Sequence, residues 1–428
     1  MKRRKTLSAR SAALSLGLVL AACGGDEAGD ATPDVPSVTS APAARHPPAT
    51  EPGSLPAATP STTEARSTTS AFSTSVVSAN PSPFPTGVFV GLGDAPVSDE
   101  LAAELQTVLD ASAKGDGLTA TLITPEGTWS GATGFAAVDR AMTPNDQMSI
   151  ASITKTLVAA QVMQLVEAGA LDLDDRAADR LPPNLAFDTN GATIADLLSM
   201  RSGYPETLDD EETWETLSTD PLHAWTPQEV LATVADERAP VGQTFQYRGT
   251  NYVLLGLIVE HVTGRPLVEV LRGGVLDGDR LERLIYQPDE RPTEPMAMPF
   301  GVPADTLDDV GGFLPTLAAA TAMNSEGAMA SDSSSLARWW RGLCAGEIVS
   351  TASLDDMTNF AKRPQYGLGI IDKRSEYGSG ALGHTGALLG FNTVALCFPT
   401  QGIVVVVLAN AEHDVNTTAG NLVRAAST

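Results

Sequence analysis

The residues with the clearest chemical potential are a serine and a lysine three positions apart, Ser152 and Lys155, in the stretch MSIASITKTLVAAQVM. The chain contains six lysines, and only Lys155 follows a serine at this spacing. Positions i and i+3 share a helix face, so the hydroxyl and the amine can meet. Lysine activates a serine only where burial or a nearby positive group lowers its pKa. The pair predicts a nucleophile and its base, although a surface lysine after a helix-capping serine has the same pattern.

Two further motifs follow in order, Tyr247-Arg248-Gly249 and His384-Thr385-Gly386. With Ser-x-x-Lys they resemble the serine β-lactamase-related family of penicillin-recognising hydrolases, which includes class C β-lactamases, D-alanyl-D-alanine carboxypeptidases and esterases. The likeness extends over residues 100–425 and includes the connecting phrases IADLLSMRSGYPE and VGQTFQYRGTNYVLLG.

The resemblance implies a role for each motif residue. Ser152 would form an acyl-enzyme, Lys155 would take its proton alone or through Tyr247, and Tyr247 would relay protons to the leaving group.

The third motif would serve the substrate. His384 and Thr385 would bind its far side, and Gly386, without a Cβ, would let the substrate backbone approach the strand. The backbone N–H groups of Ser152 and Ala387 would form the oxyanion hole, helped by the positive end of the Ser152 helix.

Two departures from the family pattern bear on activity. Gly249 stands where the family has an asparagine, a loss that favours ester hydrolysis or inactivity, while Asn251 is interpreted as a helix cap. Arg248 either replaces part of the missing amide's role or faces solvent. Histidine in place of lysine at position 384 weakens carboxylate binding. Lys373-Arg374 either supplies the missing positive charge or, as we expect, forms a solvated turn.

Hydrophobic patterning predicts the elements that position these residues. Residues 118–139 read as a hairpin around Pro125-Glu126-Gly127, and ITKTLVAAQVMQLVEAG reads as a helix ending at Gly169. Residues 170–345 are mostly helical patches, and strands return in YGLGII, GALLGFNTVALCF and GIVVVVLAN. We expect an α/β fold of the α+β type. An antiparallel sheet from both ends of the domain would be flanked by helices, with a mostly helical sub-domain and the active site between them.

The N-terminal residues 1–97 predict that the protein is exported from the cytoplasm. Residues 1–22 read as a lipoprotein signal peptide, because a basic start precedes an apolar run that closes at Leu20-Ala21-Ala22-Cys23. Cys23 would carry the lipid, unless this is an ordinary signal peptide. Residues 23–97, rich in Ala, Ser, Thr and Pro, read as a disordered tether, and residues 98–428 as the β-lactamase-related serine hydrolase domain.

Charge and residue composition limit the classes of partner and cofactor that the protein can bind. The net charge of −25 argues against nucleic acid. Five scattered histidines and the absence of a recognised spacing motif predict no metal and no cofactor. Cys344 and Cys397 are either a disulfide or two buried thiols.

The sequence therefore predicts a lipid-anchored, extracytoplasmic cell-membrane hydrolase acting on a small-molecule, peptide or ester substrate. A D-alanyl-D-alanine carboxypeptidase-like or β-lactamase-like hydrolase is the first reading. An esterase of the same fold, or a non-catalytic envelope lipoprotein, are the alternatives.

Overall fold

A computed structural model describes residues 84–209, 211–378 and 380–428. The predicted signal peptide, Cys23 and the tether up to residue 83 lie outside the described residues and stay predictions. No helix within the described ranges has the length and apolarity needed to cross a membrane.

The helices lie mainly in the middle of the chain. Their bounds are α1 (Asp99–Ser112), α2 (Thr154–Glu167), α3 (Ala177–Arg180), α4 (Ile194–Leu198), α5 (Glu211–Thr219), α6 (Pro227–Ala232), α7 (Thr250–Thr263), α8 (Leu267–Arg272), α9 (Leu317–Gly327), α10 (Ser333–Cys344), α11 (Thr351–Met357), α12 (Arg374–Tyr377) and α13 (Val415–Ala425).

The strands cluster towards the two ends of the described region. Their bounds are β1 (Leu118–Thr124), β2 (Gly127–Thr133), β3 (Phe135–Ala137), β4 (Arg140–Ala141), β5 (Met148–Ser149), β6 (Ile285–Tyr286), β7 (Met329–Ser331), β8 (Ile371–Asp372), β9 (Leu382–Leu388), β10 (Phe391–Phe398) and β11 (Ile403–Ala409).

The main sheet joins the two ends of the domain, as predicted. Its strand order is β2-β1-β11-β10-β9-β8, and every neighbouring pair is antiparallel. Register pairs Leu118 with Ala409, so an early strand lies directly beside a late one. The predicted hairpin is confirmed, since β1 and β2 pair across the turn before Gly127.

Helices cover both faces of this sheet. Leu105 of α1 and Leu422 of α13 pack with Val405 and Val407 of β11 on one face. On the other face Val404 and Val406 belong to the larger core, where α10 lies against the sheet. Because both faces are buried, β11 reads as a continuous apolar run without alternation.

The remaining helices form the predicted helical part around α2 and α7. Residues Thr154–Met163 of α2 are all buried, and α2 contacts α7 and α9. The 3₁₀ turn Ala151–Ile153 precedes α2 and contacts β9 of the main sheet. The start of α2 therefore lies between the sheet and the helical part, where the active site is expected.

The folded part begins earlier than residue 98. Phe89 is buried and stacks on Phe84 with ring centroids 6.1 Å apart, and the Phe84 backbone N–H donates to Asp355 at 2.6 Å. Assigning residues 84–97 to the tether was wrong. The tether was assigned from the average composition of residues 23–97, which gives little weight to Phe84 and Phe89. Burial of these two aromatic side chains offsets the entropy lost when this stretch is ordered.

The run GALLGFNTVALCF is two strands rather than one. It bends at Leu389-Gly390, and β9 and β10 pair from Phe391–Leu388 to Cys397–Leu382. His384 is consequently the third residue of β9, inside the strand and not at its start. Within YGLGII, only the last residue is in a strand, β8.

Cys344 and Cys397 form a disulfide, which resolves the alternative left open by the sequence. It links the end of α10 to β10, and the two cysteines are 53 residues apart in the chain. Both are completely buried. Such a bond fits an oxidising compartment.

We expect the double change Cys344→Ala and Cys397→Ala to destabilise the domain by about 4 kcal/mol, because a loop of this length is freed in the unfolded state. For a domain of this size the melting temperature would fall by roughly 5 °C. Thermal unfolding with and without reductant checks this, since reductant should lower the wild-type midpoint and leave the variant unchanged. An equal response of both proteins to reductant would contradict it.

Candidate active site

Ser152 lies in a tightly held turn. The turn precedes α2, and Ala151 within it has a positive φ of 46°, which is uncommon for alanine. The Thr154 hydroxyl donates to the Ala151 carbonyl at 2.7 Å and accepts from the Met329 backbone N–H at 3.1 Å. The turn is thus fastened to β7, and Ser152 remains partly exposed.

Lys155 meets Ser152, as the i, i+3 spacing predicts. The ammonium donates to Ser152 Oγ at 3.2 Å, to the Glu326 carbonyl oxygen at 2.8 Å and to Glu326 Oε2 at 3.1 Å. These three acceptors match the three donors of an ammonium. Lys155 is 1% exposed, so the contacts take place out of bulk water.

Tyr247 completes the group. The Lys155 Nζ atom lies 5.1 Å from the centre of the Tyr247 ring, and the Tyr247 hydroxyl interacts with the Ser152 hydroxyl. Burial raises the pKa of Tyr247, although Lys155 and Ser152 oppose this rise. The phenol is therefore neutral near pH 7 and able to pass a proton between oxygen atoms. The structure brings together all three residues of the predicted nucleophile and proton-transfer group.

The third motif lies on β9, beside the Ser152 turn. The pairing between β8 and β9 is confined to Leu382 and Gly383, so the later part of β9 extends beyond β8. There Thr385 is half-buried and Ala387 exposed. This part of β9 lies beside the turn that carries Ser152.

Gly386 is required by the protein itself. A Cβ at this position would lie 2.4 Å from the Ile150 carbonyl oxygen and 3.0 Å from the Ala151 Cβ. The missing side chain therefore lets β9 approach the turn that carries Ser152. The sequence-based expectation, close approach of a substrate backbone, is separate from this contact and stays a prediction.

His384 is buried below the surface of the cleft. It is 1% exposed, and Nδ1 donates to the Thr385 carbonyl oxygen at 2.6 Å while Nε2 accepts from the Tyr366 hydroxyl at 3.1 Å. Burial lowers the pKa of His384 to about 3. The ring is therefore neutral and supports Tyr366, rather than offering the substrate a direct contact as predicted.

Lys373 is not part of a solvated turn. Its side chain is 2% exposed and donates to Glu376 at 2.7 Å, whereas Arg374 pairs with Asp372 near the surface. The prediction for this pair was wrong for Lys373, because its aliphatic stem is covered while its charge is paired.

Two acidic residues that the sequence did not identify enter the site. Besides the contact of Glu326 with Lys155, Glu206 Oε1 accepts from the Gly249 N–H at 2.6 Å and the Thr207 N–H at 3.0 Å. The Thr207 hydroxyl lies 3.3 Å from an oxygen of each carboxyl group. Burial and the nearby Glu326 raise the pKa of Glu206 to about 7.

These carboxylates reverse the expected effect on Lys155. Burial opposes the charged amine, but Tyr247, Glu326 and Glu206 outweigh burial and raise the pKa of Lys155. The sequence had predicted a lowered pKa for a lysine base. Ser152 therefore faces an ammonium in the resting site.

The remaining second-motif residues also differ from expectation. Asn251 lies inside the first turn of α7, and its amide donates to the Arg248 carbonyl at 2.9 Å, so it is not the cap. The half-buried Arg248 guanidinium donates to the Tyr247 carbonyl at 2.9 Å. Arg248 thus stays near the cleft without entering the Ser152–Lys155 contact.

The sequence held only a weak signal for the missed acids. Glu206 closes the phrase IADLLSMRSGYPE, and Glu326 precedes GAMASDSSS. Neither glutamate is close enough to Ser152 in the sequence for helix or strand periodicity to predict a contact with it. The glycine at position 249 was the indirect sign, because it left space for another side chain.

Comparison with known proteins agrees with this geometry. The family model described as Beta-lactamase matches residues 106–427. This span includes the turn at Ser152, Tyr247 and the third motif on β9.

Curated relatives include penicillin-binding proteins. The chain is 33% identical over 180 residues to "Penicillin-binding protein 4" of Amycolatopsis lactamdurans, which covers 40% of this chain and 42% of the relative. It is 23% identical over 292 residues to "Penicillin-binding protein 4*" of Bacillus subtilis, covering 64% of this chain and 63% of the relative. The chain thus spans less than two thirds of the length of either relative.

Solved structures share the fold. A D-stereospecific amidohydrolase from Streptomyces sp. aligns with a TM-score of 0.63 at 24% identity, covering 76% of this chain and 98% of that chain. D-amino acid amidase from Ochrobactrum anthropi SV3 aligns with a TM-score of 0.63 at 23% identity, covering 77% and 99%. At these identities the likeness concerns the fold alone.

We expect Gly386→Ala to lower the rate of Ser152 modification by a fluorophosphonate about 100-fold, since a new Cβ would push β9 from the turn and misplace the reacting groups. Stability would fall by about 1–3 kcal/mol from overpacking. Gly93→Ala is the control, because a Cβ there meets only Ala95 N at 3.9 Å. Equal labelling rates for the two variants would contradict this assignment.

Proposed function

This chain is a member of the Beta-lactamase family of serine hydrolases, and we propose that it forms an acyl-enzyme on Ser152 and hydrolyses it with water. The observation that carries the proposal is the 3.2 Å contact between Lys155 Nζ and Ser152 Oγ, with the centre of the Tyr247 ring 5.1 Å from the same Nζ atom. A nucleophile with two proton-transfer groups in contact is the arrangement that acyl transfer needs.

Acylation would proceed by attack of Ser152 Oγ on a carbonyl carbon. The negative oxygen that forms would be stabilised by the backbone N–H groups of Ser152 and Ala387, the role implied by the family resemblance. The Ser152 proton passes into the Lys155 and Tyr247 group and then to the leaving atom. In the second half of the reaction, a water molecule attacks the acyl carbonyl carbon and gives a proton to the same group. The bond to Ser152 Oγ then breaks, Oγ recovers its proton, and the acid product is released.

The preferred substrate is an ester or amide that lacks a free carboxylate beside the scissile bond. The neutral ring of His384 supplies no cation on the β9 side. On the opposite side, Glu326 and Glu206 add negative charge close to Lys155. A substrate carboxylate on the β9 side would lose solvation without gaining an opposite charge, and beside Lys155 it would compete with the Glu326 carboxylate that already pairs with the ammonium.

A D-alanyl-D-alanine carboxypeptidase-like or β-lactamase-like activity is the second candidate. The names of the curated relatives favour it. The Arg248 guanidinium beside Tyr247 is a cation that could meet a substrate carboxylate. Under this alternative, penicillin would acylate Ser152 as readily as an ester does.

Labelling of the folded protein tests both candidates. We expect a fluorophosphonate probe to label the wild type and Ser152→Ala to remain unlabelled, because only the serine oxygen is nucleophilic. A fluorescent penicillin should label the wild type far more slowly, and rapid labelling would favour the second candidate. Mass spectrometry would locate the adduct. Absence of any adduct on Ser152 with either reagent would mean a non-catalytic protein.

We further propose that the protein is anchored by lipid on Cys23 to the outer side of the cell membrane. The residue pattern around Cys23 supports this, as does the disulfide between Cys344 and Cys397. With an acidic body repelled by anionic lipid, attachment would depend on the acyl chains.

We expect Cys23→Ser to release the full-length chain from the membrane fraction when it is expressed in a bacterium that processes lipoproteins. Ser54→Ala is the control, since it changes the same N-terminal segment without removing a cysteine or breaking the Cys344–Cys397 disulfide, and it should leave the chain in that fraction. Detergent extraction and immunoblotting measure the distribution. Retention of the Cys23→Ser variant in the membrane fraction would contradict the anchor.

A further inference from the structure

The second motif has lost a side chain at Gly249 for a spatial reason. Gly249 has φ −59° and ψ −34°, ordinary values that any residue adopts. A Cβ at this position, however, would lie 1.7 Å from Glu326 Oε2 and 2.3 Å from its Cδ. The Glu326 carboxyl group therefore occupies the volume into which a side chain at position 249 would extend.

Helix α7 is shaped to receive this segment. Gly256, two helical turns after Gly249, lies on the same face, and a Cβ there would lie 2.2 Å from Ser325 Oγ. The Ser325 hydroxyl donates to the Tyr252 carbonyl at 2.7 Å. The glycine just before α7 and a glycine within it thus accommodate two consecutive residues, Ser325 and Glu326, so that the Glu326 carboxyl group lies against Lys155.

Glu326 is placed to exchange a proton with Lys155. Lys155 Nζ binds both Glu326 Oε2, at 3.1 Å, and Ser152 Oγ, at 3.2 Å. The Glu326 side chain is 10% exposed, so the ion pair has little competition from water. The other titratable groups facing the pair are Glu206, from the loop after α4, Tyr247, and the neutral His384 on β9.

We propose that Glu326 is a positioning residue that replaces the second-motif amide and receives a proton from Lys155 as Lys155 takes the proton of Ser152. The Nζ–H bond to the carboxylate breaks and an O–H bond forms on Oε2. The Oγ–H bond breaks, an N–H bond forms on Nζ, and Oγ bonds to the substrate carbonyl carbon. Lys155 keeps its positive charge, and the negative charge moves from Glu326 to the carbonyl oxygen.

This inference rests on the proposed acyl-enzyme at Ser152, and it explains how a lysine that is charged in the resting site can take part. An ammonium has no lone pair for a proton until it releases one. Among the groups that Lys155 contacts, the Glu326 carboxylate is the anionic acceptor. Glu206 lies in the same cluster, but it binds backbone N–H groups and is not hydrogen-bonded to Lys155.

The test is the rate of fluorophosphonate labelling of Ser152 across pH values from about 5 to about 10. Glu326→Gln keeps the shape and an oxygen for Lys155 but cannot accept the proton. We expect its rate to fall about 100-fold near neutral pH and to climb as pH rises, because Lys155, released from the ion pair, loses its proton at lower pH than before. Glu269→Gln, which changes an exposed glutamate of α8 that pairs with Arg265 outside the site, is the matched control and should leave the rate unchanged.

A second variant tests the contact between Gly249 and Glu326 by changing the glycine instead of the glutamate. Gly249→Ala leaves Glu326 intact but places a methyl group on its carboxyl oxygen, so it should reproduce the slow labelling. Combining Gly249→Ala with Glu326→Ala removes the obstruction but also the carboxylate, so the double variant should keep the slow labelling at neutral pH. Circular dichroism and thermal midpoints would show that each variant is folded.

The outcomes separate this inference from the proposed function. A wild type that is not labelled at Ser152 overturns both. A labelled wild type whose rate and pH profile are unchanged by Glu326→Gln overturns the role of Glu326 alone. If Glu326→Gln fails to fold, a Gly249→Ala variant that labels at the wild-type rate overturns it equally.

Discussion

The buried contact between the Lys155 ammonium and Glu326 is the interaction on which the site depends. A charged amine that is 1% exposed would be unstable without a partner. The carboxylate and carbonyl oxygen of one residue supply two of its three acceptors, and Ser152 supplies the third. The nucleophile is therefore oriented by the same interaction that compensates the buried charge.

Close approach of backbone segments makes this interaction possible. Gly386 allows β9 to lie against the turn before α2, and Gly249 allows Glu326 to lie against α7. In both places the glycine serves contact between parts of the protein. The absence of a side chain at Gly386 and at Gly249 thus allows the main sheet and the helical part to pack closely around the site. This explains why the second and third motifs each contain a glycine.

The electrostatics of the site differ from those of a lysine in an apolar pocket. Tyr247, Glu326 and Glu206 outweigh burial and raise the pKa of Lys155, while burial raises the pKa of Tyr247 and lowers that of His384. Positive charge at Lys155 is retained, and the side of the cleft formed by β9 carries a neutral ring. These features favour substrates whose charge does not need a cation on that side.

The sequence by itself determined the family, the mixed fold and the meeting of Ser152 with Lys155. These follow from local patterns: two residues three positions apart on one helix face, alternating or continuous apolar runs, and three motifs in order. It also identified Tyr247 and the third motif through resemblance.

Only the tertiary structure decided which groups surround Lys155. Glu326 is 171 residues from Lys155 along the chain, and its contact depends on how α9 packs against α2 and α7. The burial of His384 and the early start of the folded part at Phe84 arise in the same way. The protonation and burial of a side chain depend on neighbours that are distant in the sequence. A local sequence pattern contains information only about residues that are adjacent in the chain.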